Sequence, residues 1–126
     1  MIRINYEKDI TLLLDLDGYI IDQANGYWTK FEAWRASRNE NIPHGIRYSL
    51  TLHDRLGQRI MGFDNAHAIK GSNRTSRKTY DHRHRHKEDP GVHYEFVSAQ
   101  QLLTDFWLEV DKTLYTLGIE QETPNK

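Results

Sequence analysis

The chain has 126 residues, of which 37% are hydrophobic and 28% are charged. This length predicts one domain, which we assign to residues 1–118, followed by a frayed tail over residues 119–126. The sequence contains no cysteine, which excludes disulfides, thiolate metal sites and cysteine nucleophiles. No apolar run approaches the roughly 18 residues that cross a bilayer, and the charged start MIRINYEKD does not resemble a signal peptide. We therefore expect a cytoplasmic protein without membrane contacts.

The first half of the chain predicts strands. Apolar segments at 10–16 and 19–21 predict a hairpin or one bent strand. The aromatic-rich segment 27–36 predicts another strand, and a polar loop follows over 38–44. The clearest pattern is at 46–53, where polar residues alternate with Ile46, Tyr48, Leu50 and Leu52. A period of two over eight residues predicts a strand with one buried face.

The pattern continues beyond the centre of the chain. Residues 54–57 predict a four-residue turn with glycine at its last position, and residues 58–64 predict the returning strand. Residues 66–79 predict a long extended loop, a kind of segment that is often functional. A short strand is predicted at 94–97.

A helix is predicted from Ser98 to Gly118. Ser98 and Gln101 have the spacing of a capping box, and Gly118 is placed to end the helix. One helical face gathers Ala99, Leu102, Leu103, Phe106, Val110, Leu114 and Leu117. The predicted fold class is α+β: an antiparallel meander of four to six strands with one C-terminal helix packed on a face.

Charge is distributed unevenly along the chain. Residues 70–88 contain seven basic and two acidic residues, a net charge of +5, so the remainder carries −6 of the total −1. The basic residues are Lys70, Arg74, Arg77, Lys78, Arg83, Arg85 and Lys87. Such a segment is either an anion-binding surface or a solvated loop with ordinary surface charge.

Two short motifs flank this segment, GFDNAH at 62–67 and YDHRHRH at 80–86. Asp64 and Asn65 follow a predicted strand, where such residues often end the strand by bonding to the backbone. Alternatively, Asp64 orients a histidine or holds a metal, and Asn65 presents its amide to a phosphate or a base. His67 is a candidate site residue because Asp64 and Asn65 are close to it in the sequence, and not because of its residue type alone.

The second motif alternates histidine with arginine. In a strand, His82, His84 and His86 lie on one face, and Arg83 and Arg85 on the other. In a helix, only His82 and His86 would share a face. We favour the strand. Three roles for the imidazoles then stay open: proton transfer, metal ligation with an aspartate, or a polar surface that binds RNA or protein.

Ribonuclease chemistry suits these groups without a cofactor. A base takes the proton of the ribose 2′-hydroxyl, an acid protonates the leaving oxygen, and a cation stabilises the phosphorus centre. The candidate catalytic residues are Asp64, His67, His82, His84 and His86. The candidate nucleic-acid-binding residues are Asn65, Lys70, Arg74, Arg77, Lys78, Tyr80, Arg83 and Arg85. We expect no cofactor, with a divalent metal as the alternative.

Four segments, GIRYSLTLHD, RIMGFDNAH, YDHRHRH and HYEFVSAQQLLTDFWLEVD, occur in this order. Together they resemble the TumE family of bacterial and archaeal toxins over residues 45–115. The resemblance implies the toxin of a toxin–antitoxin pair whose other member is a helix-turn-helix antitoxin. The polar residues that match the family pattern are Asp64, Asn65, His67, Asp81, His82, His84 and His86.

The predicted helix bears on the protein partner. Phe106 and Trp107 either cover the sheet together, or Trp107 joins an antitoxin or homodimer interface with Asp105, Glu109 and Asp111. We predict an RNA-directed toxin with metal-independent ribonuclease activity. The alternatives are a non-catalytic module that binds RNA or protein and a metal-dependent nuclease.

Overall fold

A six-stranded antiparallel sheet carries two helices in the computed structural model, which describes residues 6–38, 42, 44–65, 81–84 and 92–119. At 81–84, 92 and 93 it describes the backbone. The strands are β1 (Ile20–Asp22), β2 (Trp28–Arg35), β3 (Ile46–His53), β4 (Arg59–Asp64), β5 (Asp81–His84) and β6 (Val92–Tyr94), and the helices are α1 (Tyr6–Leu14) and α2 (Ala99–Thr116). A 3-10 turn lies at Ala24–Gly26. Each strand pairs with the next one in the chain, so the predicted α+β meander is confirmed.

The alternation on β3 produces the core. Its apolar residues are fully buried, and the polar residues between them are partly exposed. Buried residues of β2 and β4, above all Phe31 and Phe63, lie opposite Leu50 and extend the same apolar face. Ile10 and Leu13 of α1 and the apolar stripe of α2 pack against this face. The sheet therefore has one face covered by both helices and one face that neither helix covers, which we call the open face.

Helix α2 begins as the sequence predicts. The N–H of Gln101 donates to Ser98 Oγ at 3.1 Å, which confirms the cap. The reciprocal bond is replaced, because the Gln101 amide donates to Asp105 Oδ1 at 2.9 Å. Asp9 of α1 instead accepts the N–H groups of Ala99 at 2.7 Å and Gln100 at 3.2 Å. A carboxylate at a helix N-terminus also meets the positive end of the helix dipole, so Asp9 joins the two helices.

The other end of α2 also follows the prediction, with one exception. Gly118 has a φ of 81°, and its N–H donates to the Tyr115 carbonyl at 3.0 Å while Ile119 donates to Leu114 at 2.8 Å. These two bonds form a Schellman ending, which favours glycine at the left-handed position. Leu117 was predicted on the core face but is 50% exposed, because the helix ends before it.

The prediction of a strand at 10–16 is wrong. This segment belongs mainly to α1, with Ile10 and Leu13 buried one helical turn apart and Leu12 exposed on the opposite side. A short apolar run does not distinguish a strand from a helix by its period. Packing decides the matter here, because α1 lies against β2 and α2. The predicted strand at 19–21 matches β1.

The last strand is displaced from its predicted position. The sequence predicted 94–97, whereas β6 covers Val92–Tyr94. The prediction was placed too far along the chain because it included the apolar residue Phe96. Phe96 is buried but lies beyond the strand, with its ring 5.7 Å from that of Tyr48. The predicted loop at 66–79 lies outside the described residues. Within the part of the chain that the structure describes, no helix is long and apolar enough to cross a membrane.

Candidate functional site

A carboxylate and two histidines occupy one row of the sheet. The register pairs Asp64 of β4 with His82 of β5, and His82 with His93 of β6. Directly opposed residues of antiparallel strands share a face, with Cβ atoms about 4.5–5.5 Å apart. We call Asp64, His82 and His93 the reactive row. Three strands thus place one aspartate and two histidine positions in a single row.

The reactive row belongs to the open face. Asp64 pairs with Ser49 on β3, and Ser49 is one of the partly exposed residues that alternate with the core residues of that strand. Asp64 itself is partly buried. The row therefore lies on the face of the sheet that α1 and α2 do not cover.

Asn65 has a structural position beside this row. It is only 7% exposed, its Oδ1 accepts the Tyr48 N–H at 2.8 Å, and its Nδ2 donates to the Ile46 carbonyl at 2.9 Å. The side chain thus extends the pairing of β3 and β4 beyond Asp64. This is the strand-ending role of asparagine, and both ends of the amide are engaged by backbone. Asn65 therefore fixes the end of β4, from which Asp64 enters the reactive row.

A close approach of strands explains Gly62. A Cβ at this position would lie 2.9 Å from Thr51 Cγ2 and 3.0 Å from the Leu50 carbonyl oxygen. Any larger residue would force β3 and β4 to shift. Gly62 pairs with Thr51 on one side and with His84 on the other, so this row of the open face has no side chain at its centre.

The alternation of histidine and arginine in β5 has the predicted geometry within Asp81–His84. His82 and His84 are open-face positions, whereas Arg83 lies opposite Phe63, a core residue of the covered face. Asp81 pairs with Tyr94, which also packs against the core. The strand prediction is therefore confirmed for this segment, and Arg83 occupies the opposite face from the reactive row.

His93 was missed from the sequence. Its signal was present, because Val92 and Tyr94 are apolar neighbours of a polar residue, as in a strand with one buried face. Placing the strand at 94–97 left His93 outside it. The structure pairs His93 with His82 and makes it the third member of the reactive row.

The remaining predicted site residues lie outside the described residues. These are His67, Lys70, Arg74, Arg77, Lys78, Tyr80, Arg85 and His86. Among the residues whose side chains the structure describes, no group of three or more histidine, aspartate or glutamate residues could hold a metal ion. That statement does not extend to the side chains of residues 82, 84 and 93. The metal prediction stays untested.

Two further histidines have lowered pKa values. Burial lowers the pKa of His44, whose ring lies 4.5 Å from that of Phe96, and the charge of Arg38 adds to the effect against a smaller opposing effect of Asp9. Burial also lowers the pKa of His53, although its bond to the Gly57 carbonyl acts in the other direction. Both imidazoles are therefore mainly uncharged at neutral pH.

Trp107 covers the sheet together with Phe106. The Trp107 ring lies 5.8 Å from that of Phe31 and 5.5 Å from that of Phe106, and Trp107 packs against the core. Asp105 accepts hydrogen bonds from Tyr94 at 2.6 Å and from Gln101 at 2.9 Å. Both groups therefore contribute to the packing of α2 on the sheet.

The fold and the reactive row define a small α+β protein with aspartate and histidine positions gathered on the sheet face that neither helix covers. The family model described as Toxin TumE matches residues 13–114, which include the last two residues of α1, the whole sheet and most of α2. The chain therefore belongs to the TumE toxin family. It is the toxin component of a toxin–antitoxin system, and its partner is an antitoxin. Comparisons with curated proteins and with solved structures found no match.

Proposed function

We propose that this toxin acts on RNA as a metal-independent ribonuclease and that the reactive row is its catalytic centre. The observation that carries the proposal is the register that pairs Asp64 with His82 and His82 with His93. Two adjacent imidazoles supply a base and an acid whose ordinary pKa values suit proton transfer at neutral pH.

Each group of the row has a role in this reaction. One imidazole takes the proton of a ribose 2′-hydroxyl, whose oxygen then attacks the adjacent phosphorus. The other imidazole, initially protonated, gives its proton to the departing 5′-oxygen, so a 2′,3′-cyclic phosphate and a free 5′-hydroxyl result. Asp64, opposite His82, orients that imidazole and stabilises its protonated form, as a carboxylate partner does in other acid–base pairs. DNA lacks the attacking hydroxyl and is not a substrate.

A cation must stabilise the charge on phosphorus. Among the described residues, Arg47 lies two residues before Ser49 on β3, which places it one row from Asp64 on the open face, at a distance of roughly 7 Å along the strand. The basic segment 70–78 is a second source that the sequence predicts. His67, His84 and His86 stay candidates from the sequence, and His84 lies one row away from His82 and pairs with Gly62.

The test is incubation of the purified chain with total RNA in the presence of a chelator. We expect cleavage by the wild type and none by His82→Ala or His93→Ala. Glu32→Gln is the matched control. Glu32 pairs with Ser49, so this substitution removes a carboxylate from the same row, two strands away from Asp64. Cleavage that needs added divalent metal would instead indicate a metal-dependent nuclease.

A non-catalytic module that binds RNA or protein is the second candidate, and the net charge of +5 over residues 70–88 favours it. Binding alone predicts that toxicity depends on arginine and lysine residues and falls steeply with salt. Catalysis predicts that the histidine variants lose toxicity while their affinity for RNA changes little.

We also propose that the antitoxin is a helix-turn-helix protein and that the pair acts in the cytoplasm, where RNA is accessible. A homodimer stays a prediction of the sequence. Helix α2 carries a net charge of −2, with Asp111 exposed and Glu109 only 16% exposed beside Lys112, and an acidic helix suits a basic, DNA-binding partner.

A further inference from the structure

Two aromatic side chains form a fixed pair on the open face. The rings of Trp28 and His53 are stacked, with centroids 4.1 Å apart and planes within 4° of parallel. His53 is held on both sides, because Nε2 bonds to Thr51 Oγ1 at 2.9 Å and Nδ1 to the Gly57 carbonyl at 3.2 Å. The ring pair is therefore ordered without a ligand, and ordering it on binding requires little loss of entropy.

A third aromatic residue lies at the opposite end of the same face. Trp34 is 46% exposed, although an indole ring is large and apolar, and it pairs with Arg47. Among the described residues, Trp34 is neither part of the buried core nor packed against it. An exposed indole beside an arginine is a combination that occurs where proteins stack bases and bind phosphates.

Along the strand direction, the level of the reactive row falls between these aromatic groups. On β3, Arg47 is followed by Ser49, which pairs with Asp64, and then by Thr51 and His53. With about 3.3 Å per residue, Trp34 is roughly 7 Å from this level in one direction and the stacked pair roughly 13 Å in the other. Across the sheet, both tryptophans lie on β2, and the reactive row begins two strands away, at roughly 10 Å.

Charge separates the two layers of the molecule. On β1 to β4, the open face carries Lys30, Arg47 and Arg59 against Asp22, Glu32 and Asp64, a net charge of zero. The helices α1 and α2 together carry a net charge of −3. A polyanion is therefore repelled less by the open face than by the helix layer.

Resting on the proposed function, we propose that the open face binds single-stranded RNA, with one base on Trp34 and another on the Trp28–His53 pair. An RNA strand anchored at these two points runs along β2, and Asp64, the nearest member of the reactive row, lies two strands away from it. Stacking of this kind needs unpaired bases, because the faces of paired bases are occupied by their neighbours in the duplex. The structure thus assigns the substrate class as unpaired RNA.

The test measures binding without cleavage. A fluorescent, unstructured RNA of about 10 nucleotides is titrated against the full chain in the His82→Ala background, at one fixed salt concentration. We expect Trp34→Ala and Trp28→Ala each to weaken binding by roughly 5- to 150-fold, as for other base–aromatic stacks. Trp34→Phe keeps an aromatic ring and should retain most of the affinity. The same RNA annealed to its complement should bind more weakly.

Tyr115→Ala is the matched control, because Tyr115 is an aromatic residue on α2 that is 84% exposed. It should bind RNA like its parent. The Trp34→Ala variant tests binding independently of folding, since removal of this exposed ring leaves the core intact. Unchanged affinity in Trp34→Ala, or equal affinity for single-stranded and duplex RNA, would overturn the proposal.

Failure of the RNA-binding proposal is distinguishable from failure of the proposed ribonuclease function. A chain that cleaves RNA but binds it equally well without Trp34 and Trp28 is a ribonuclease with another binding surface. A chain that needs both rings for binding but never cleaves RNA is a binding module whose surface is the one proposed.

Discussion

Asp64 and His82 are directly opposed on neighbouring antiparallel strands, although the whole segment 65–81 separates them in the chain. A carboxylate at this position can hold an imidazole in one orientation and stabilise its protonated form. We therefore expect Asp64→Asn, which keeps the shape and removes the charge, to lower the rate of RNA cleavage by roughly 100-fold or more. The measurement is the cleavage rate of a short RNA at saturating enzyme.

The control for Asp64→Asn is Glu32→Gln, which removes a charge from the same row but two strands away. Its cleavage rate should match the wild type. A similar loss in both variants would mean that the row acts through its overall charge rather than through the Asp64–His82 pair.

His82 and His93 should act as a unit. Because the two positions are directly paired, we expect His82→Ala and His93→Ala each to reduce cleavage by roughly 100- to 10,000-fold. The double variant should be scarcely worse than either single variant, since removing one member of an acid–base pair already disables it. If the two effects multiply, the histidines act in separate steps.

Asn65 should contribute to stability rather than to chemistry. Asn65→Ala removes both bonds to the β3 backbone and leaves the Tyr48 N–H and the Ile46 carbonyl without their side-chain partner. We expect the free energy of unfolding to fall by roughly 2–4 kcal/mol in urea titrations. Gln100→Ala, at an exposed position of α2, is the control and should change it little. Cleavage per folded molecule should persist in Asn65→Ala.

Asp9 should stabilise the docking of the two helices. Asp9→Ala leaves the N–H groups of Ala99 and Gln100 without their carboxylate, and we expect it to reduce stability by roughly 1–2 kcal/mol. Asp15→Ala removes an acidic residue just beyond α1 that is exposed, and should be nearly neutral. Equal losses in the two variants would indicate an effect of net charge and not of the cap.

Stability should fall on mild acidification. The pKa values of His44 and His53 are lowered in the folded state from an ordinary 6.5, so the unfolded chain binds more protons just below pH 6.5. The contribution of these residues is complete above pH 6.5 and is lost as the pH falls toward their folded-state pKa values.

Urea unfolding at about pH 7.5 and about pH 5.5 measures this dependence. The double variant His44→Gln, His53→Gln should lose less stability between the two pH values than the wild type does, although it starts from a lower value. An equal loss in both proteins would assign the pH dependence to other groups.

Several elements could be predicted because their signals are local. The alternation at 46–53 predicted β3, the pair Ser98 and Gln101 predicted the start of α2, and Gly118 predicted its end. In each case, the residues that specify the element are within a few positions of one another. The helix α1 was mistaken for a strand because its short apolar run has no decisive period, and only its contacts with β2 and α2 distinguish the two structures.

The candidate site divides in the same way. The motifs GFDNAH and DHRHRH identified Asp64 and the β5 histidines as candidates for acid–base chemistry. The period of a strand placed His82 and His84 on one face and Arg83 on the other. Nothing in the sequence between them predicted that Asp64 would pair with His82. His93 was not recognised as a member of the site, since the residues it shares a row with lie on other strands.

The sequence by itself determined the α+β class, the burial pattern of β3, the two ends of α2 and the family. It did so because periodicity, capping and motif are properties of short segments. The tertiary structure alone decided which residues meet: the register of β4, β5 and β6 brings Asp64, His82 and His93 into one row, and the packing of both helices on the other face puts that row on the face that neither helix covers. Register follows from the pairing of whole strands over a shared core, and a shift of one residue would move every side chain to the opposite face.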